Sequence, residues 1–142
     1  MNSNSISVDH RPYTFLKLVE QYQKTNQLSV AYDFDDTVGP LHSSGCWRAA
    51  SAIRKAKEVL NAYCIVYTCN DNYAKIIKYL DENNIPWDAI NENAPFISFG
   101  GGDCKIYYNI LLDDKAGLHQ AIEDLEALIY GVMNGTITKE NK

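Results

Sequence analysis

Leu28-Ser29-Val30-Ala31-Tyr32-Asp33-Phe34-Asp35-Asp36-Thr37-Val38 is the stretch around which the chain is organised. Its first half is an apolar run rich in strand formers, and such a run bounded by polar residues reads as a buried strand. Its second half crowds three carboxylates and a threonine at the strand's end. Asp33 and Asp35 lie two apart, so in an extended chain both side chains point to one side. Carboxylates facing one way repel each other, and the arrangement calls for a cation, a shared proton or solvent. A helix cap or a solvated turn also uses aspartate. The site reading outweighs it because a second acidic pair, Asp113-Asp114, closes another apolar run.

Outward from this stretch, apolar spacing alternates between strand and helix. Before it, residues 1–11 read as a polar tail, and Pro12 opens a helix with Phe15, Leu18, Val19 and Tyr22 on its buried face. After it, the breaker-rich residues 38–45 read as a loop overhanging the acidic strand end. A helix over 47–62 carries Ala49, Ala52, Ile53, Ala56, Val59 and Leu60 inward. Tyr63 to Thr68 reads as a second strand. The next helix is capped by Asn70 or Asp71, runs to Asn84 and buries Tyr73, Ile76, Ile77 and Leu80. A short third strand spans 87–90. Phe96-Ile97-Ser98-Phe99 is a short apolar piece followed by Gly100-Gly101-Gly102, a hinge or a close backbone approach. The last strand covers 107–112, and a closing helix over 118–130 turns Leu118, Ile122, Leu125 and Ile129 inward.

Strands alternating with helices imply crossover connections and a mostly parallel sheet with helices on both faces. The 142 residues suit one domain, which at this size buries roughly 70% of its unfolded surface. Hydrophobic residues at 46% and charged residues at 22% place the chain with globular proteins rather than disordered ones. Thirteen basic against eighteen acidic residues give a net charge of −5, which argues against broad binding to nucleic acid or an anionic membrane. No apolar run is long enough to span a bilayer, and the polar start lacks the apolar core of a signal peptide. Cys46, Cys64, Cys69 and Cys104 form no CxxC pair and no zinc spacing, so reduced thiols in a cytoplasmic protein are expected. Cys64 and Cys69 are read as packed in a strand and at its end.

In parallel sheets of this kind ligands bind beyond the carboxyl ends of the strands. Asp33, Asp35, Thr68, Asp113 and Asp114 all fall at such ends. A phosphate monoester there would face a carboxylate of like charge, and two unit charges about 4 Å apart repel by roughly 4 kcal/mol at an effective dielectric of 20. A carboxylate nucleophile therefore needs local positive charge. Oxygen ligands from two strand ends suit a hard cation, most plausibly magnesium, with a lysine and a strand-end hydroxyl for the remaining phosphoryl oxygens.

Asp33-Phe34-Asp35-Asp36-Thr37 after an apolar strand resembles the DxDxT signature of the haloacid dehalogenase-like (HAD) phosphohydrolases. Thr68 after Ile65-Val66-Tyr67 resembles the second motif of that superfamily, and Asp113-Asp114 its acidic fourth. Lys105, eight positions before Asp113 (113 − 105), fits the third best, with Lys75 and Lys78 as rivals on a solvated helix face. The resemblance spans roughly residues 30–118. It implies a three-layer Rossmann-like fold and a Mg2+-dependent phosphatase. In that reading Asp33 is the nucleophile that forms an aspartyl-phosphate. Asp35 is the general acid and then the base, and its backbone carbonyl also binds the metal, together with Asp33, Asp113 and Asp114. Thr68 and Lys105 hold the phosphoryl oxygens. Between Asp113 and Asp114, the latter is favoured for direct metal contact.

The superfamily's two cap positions correspond here to residues 38–47 and 70–104, both too short for a folded cap, so the resemblance is to the capless members. Their open sites suit a phosphorylated small molecule or a macromolecular end. His42 could touch the leaving group or be solvated, Trp47 could stack a ring or staple a helix start, and Asn91-Glu92-Asn93 could line the pocket or form a turn. Two other readings compete: a phospho-acceptor signalling domain of receiver type, disfavoured by the DxD pair lying on the first strand, and a non-catalytic binding module of the same fold. Oligomeric state is open.

Overall fold

The computed structural model describes residues 13–40, 44–97 and 105–140. Pro12, His42, Gly100 to Gly102 and Cys104 lie outside them, as does the polar start. The described chain is an α/β unit in which eight elements follow in order. Helix α1 (Tyr13–Lys24) leads into strand β1 (Ser29–Tyr32). Helix α2 (Ser44–Leu60) leads into β2 (Tyr63–Val66), and α3 (Tyr73–Glu82) into β3 (Ala89–Ile90). Strand β4 (Ile110–Leu112) then enters the closing helix α4 (Leu118–Met133). The sheet order is β3-β2-β1-β4 and every pairing is parallel. The crossover connections inferred from the alternation of elements are therefore present, and β1, with the organising stretch, is central.

Registers fix which residues meet at the ends of the strands. Tyr32 pairs with Val66 on one side and with Leu112 on the other. The residues just beyond, Asp33, Tyr67 and Asp113, thus leave three adjacent strands at one level. Adjacent strands stand about 4.8 Å apart. This is the reason an acidic pair 80 positions downstream (113 − 33) can lie beside Asp33.

The core follows the alternation of the strands. Val30 and Tyr32, Cys64 and Val66, and Ile110 and Leu112 join one buried cluster with residues of all four helices, among them Leu18, Ile53, Leu80 and Leu125. Ser29, Ala31 and Ile65 are buried but stand outside that cluster, as the two-residue period requires. Phe96, from the β3–β4 connection, meets the Tyr63 ring edge-on at 5.7 Å. All four helices contribute to this one cluster, so among the described residues the expected cover of helices on both faces of the sheet is not shown. Tyr32 spans this core and donates its hydroxyl to the Pro86 carbonyl over 2.8 Å.

Several expected boundaries shift for local reasons. Residues 107–109 do not extend β4, because side chains take up their backbone partners. The Tyr107 amide donates to Asn93 Oδ1 over 2.7 Å, and Asn109 exchanges bonds with Ser29 through both its backbone and its side chain. Helix α3 starts later than expected. Asn72 is its N-cap, with its side chain accepting from the Lys75 amide over 3.3 Å. At the other end the Arg54 guanidinium donates to the Asn83 and Asn84 carbonyls, satisfying orphan acceptors. Tyr73 is not on the buried face: it is 41% exposed, since it stands at the open start of α3. Cys69 is likewise exposed rather than packed, while Cys46 and Cys64 are buried. Helix α4 runs one turn past Tyr130 and is tied to α2 by the forked Arg48–Glu126 pair, at 2.6 and 3.2 Å. Among the described residues no helix is long and apolar enough to cross a membrane.

Candidate active site

Three carboxylates converge where β1 and β4 end. The Asp33 amide donates to the Leu112 carbonyl over 2.9 Å, adding one rung to the β1–β4 ladder and setting Asp33 beside Asp113. Ligand oxygens of Asp33, Asp113 and Asp114 all lie within 4.8 Å of one another. Asp33 and Asp113 are half-buried and Asp114 is the more open.

Such crowding changes the acid chemistry. Burial pushes the Asp33 carboxyl up to about 7; the negative charges of Asp113 and Asp114 and a hydrogen bond shared with Asp114 add to it, and the Phe34 amide pulls the other way. A carboxyl so placed holds a proton unless positive charge relieves it.

The donor set fits a hard divalent cation. All three groups offer carboxylate oxygens, the donors that magnesium and calcium take. Asp33, Asp113 and Asp114 would hold such a cation, which would supply local positive charge there.

Asp114 is held by a residue the sequence reading left without a role. Its backbone amide donates to Thr37 Oγ1 over 3.0 Å, and the Thr37 hydroxyl lies 3.5 Å from Asp114 Oδ1. Thr37 is fully buried. It is placed by a tight turn in which the amides of Thr37, Val38 and Gly39 all approach the Phe34 carbonyl, at 3.3, 3.2 and 3.1 Å. Asp36 adopts a left-handed conformation (φ 63°) in this turn, which aspartate tolerates better than most residues. Gly39 sits under the edge-on rings of Phe34 and Tyr79. The threonine was visible in the organising stretch, but nothing in the sequence showed its partner 77 positions away.

The remaining expected site residues are more dispersed. Asp35 lies in the same turn, exposed, with its side chain outside the three-carboxylate cluster. Thr68 follows β2 at the same end of the sheet, half-exposed, and its Oγ1 accepts from the Asn70 amide over 3.0 Å. Lys105 is exposed and leads into β4 from its starting end, where Tyr107 and Asn109 border a cleft with Gln27 and Asn61. No described contact joins Lys105 to the carboxylates. Trp47 is 64% exposed in the first turn of α2, so it does not act as a buried staple.

Asn91, at the end of β3, does more than turn the chain. Its amide side chain bonds the backbone of Thr68 on both sides and also reaches Tyr73. No protein-family model, curated protein or solved structure matches this chain.

Proposed function

We propose that the protein is a magnesium-dependent phosphatase that hydrolyses a phosphate monoester through an aspartyl-phosphate on Asp33, within a capless HAD-like fold. The observation that carries this reading is the convergence of Asp33, Asp113 and Asp114 at the carboxyl ends of two neighbouring parallel strands. When bound there, a divalent cation supplies the positive charge that lets a carboxylate approach a phosphoryl group.

The chain's own residues then divide the work. An Asp33 oxygen attacks phosphorus, and the phosphorus bond to the leaving oxygen breaks. Asp35, two residues on and open to solvent, donates the proton that this oxygen takes up. In the second half Asp35 accepts a proton from water as the water attacks phosphorus. The bond to Asp33 breaks, phosphate leaves, and both carboxylates return to their starting state. Thr68 supports a phosphoryl oxygen through its hydroxyl; Lys105, which leads into β4 from the other end of the sheet, has no part in this step, contrary to the expectation from the resemblance. Among the described residues the turn at 34–39 and the strand-end segment 67–72 are short, which suits a phosphorylated small molecule or a macromolecular end.

The test is phosphate release from a generic aryl phosphate. Turnover is expected with magnesium, and it should stop on chelation and in Asp33→Asn while the circular dichroism spectrum is kept. Wild-type rates in Asp33→Asn would remove the nucleophile from this account. A stable phosphoprotein without turnover would instead favour a phospho-acceptor domain.

A further inference from the structure

We infer that Asn91 is a positioning residue for the phosphoryl group: its side chain holds the Thr68 peptide so that the Thr68 hydroxyl presents its proton to a phosphoryl oxygen. The inference rests on the proposed phosphatase reading and adds to it a residue from a third strand.

The geometry is a two-point clamp. The Thr68 amide donates to Asn91 Oδ1 over 2.9 Å, and Asn91 Nδ2 donates to the Thr68 carbonyl over 2.7 Å. Both backbone polar groups of Thr68 are thereby taken by one planar side chain. Asn91 is itself fixed. Its backbone amide donates to the Val66 carbonyl over 2.8 Å, and the second Nδ2 proton goes to the Tyr73 hydroxyl over 3.0 Å. Asn91 has φ 53°, a left-handed conformation in which asparagine is among the few favoured residues.

The clamp decides what the Thr68 hydroxyl can do. A hydroxyl has one proton and acceptor capacity. The Asn70 amide already uses the acceptor side over 3.0 Å. Among the described residues no acceptor takes the proton, so it is available to an oxygen placed above the strand ends. A turn-forming asparagine bonds backbone only a few residues from itself. Engaging both sides of a residue one strand away goes beyond what a turn requires. Aspartate in place of Asn91 would keep the acceptor for the Thr68 amide but set a carboxylate oxygen against the Thr68 carbonyl.

The test is a double-mutant cycle on aryl phosphate turnover with magnesium, together with amide exchange at Thr68. Asn91→Gly suits the left-handed backbone and removes the clamp together with the bond to Tyr73. It is expected to lower kcat/KM at least tenfold in the Thr68 background and less than twofold once Thr68→Ala is present. Asn91→Asp should fall at least as far as Asn91→Gly. By nuclear magnetic resonance, the Thr68 amide should exchange at least tenfold faster in Asn91→Gly while the β1 and β2 amides stay protected. Equal losses in both backgrounds would reduce Asn91 to a structural residue and overturn the inference. A wild type without turnover, but with Thr68 exchange released by Asn91→Gly, would sink the phosphatase reading while leaving the clamp in place. Unchanged Thr68 exchange would overturn the clamp itself.

Discussion

The backbone amide of Asp114 donates to the buried hydroxyl of Thr37 over 3.0 Å, linking the turn after β1 to the end of β4. These two segments carry all three clustered carboxylates. The bond sets the distance between them before any ligand arrives, and it uses a hydroxyl that has no route to solvent. Thr37→Val keeps the shape and removes the acceptor, leaving the Asp114 amide without its partner. It should cost about 1–3 kcal/mol of stability and weaken magnesium binding, whereas Thr37→Ser should keep most of both. Urea unfolding and a magnesium titration followed by calorimetry check the pair. Equal behaviour of the valine and serine variants would mean that the hydroxyl is not the link.

Asp33 makes stability depend on pH with a definite sign. Its carboxyl is raised from 3.8 to about 7 by burial and by its acidic neighbours, so the folded protein holds this proton more tightly than the unfolded chain. The contribution favours the fold fully below about pH 4 and fades as pH rises to about 7. In chelated protein, wild type should therefore lose stability relative to Asp33→Asn across that window. The site is open to solvent, so the difference above pH 7 should be only about 1–2 kcal/mol, or roughly 3–6 °C in Tm. Magnesium should reverse the order at pH 8 by stabilising wild type alone. Parallel melting curves in chelator at all pH values would contradict the crowding of the carboxylates.

The cysteines should separate by accessibility. Cys69 is exposed beside Thr68, whereas Cys46 and Cys64 are buried, and burial pushes the Cys64 thiol up to about 12. The thiolate is the reactive form, so Cys64 is doubly protected. Brief treatment of native protein with iodoacetamide at neutral pH should label Cys69, and label Cys46 and Cys64 only after denaturation. Peptide mass mapping resolves the sites. Cys64 labelling as fast as Cys69 in the native state would be incompatible with its place in β2.

Gly39 is a position where space, rather than backbone angle, demands glycine. A Cβ there would stand 2.8 Å from Tyr79 Cε1 and 3.0 Å from Phe34 Cζ. These rings meet edge-on with centroids 5.4 Å apart, and the Tyr79 hydroxyl bonds the Val38 carbonyl over 3.3 Å. Gly39→Ala must push the rings apart and should cost about 1–3 kcal/mol. A lower urea midpoint at unchanged slope would show it. Because Asp35 lies in the same turn, aryl phosphate turnover should fall as well.

Much of this protein could be read from local pattern. Apolar runs and helical spacing located the main strands and helices, since the apolar residues of each element must be buried whatever they pack against. The alternation of strand and helix implied parallel crossovers, and the strand-end aspartates marked one end of the sheet. What the sequence left open were relations between distant residues. The Asn109 side chain takes the Ser29 amide, and β4 starts three residues late; Tyr73 faces outward because it stands where α3 begins. Thr37 meets Asp114, and Asn91 clamps Thr68, because parallel registers bring neighbouring strand ends to one level. Local residue preferences carry no information about such registers. Only the packed sheet chooses which hydroxyl, amide and carboxylate finally meet.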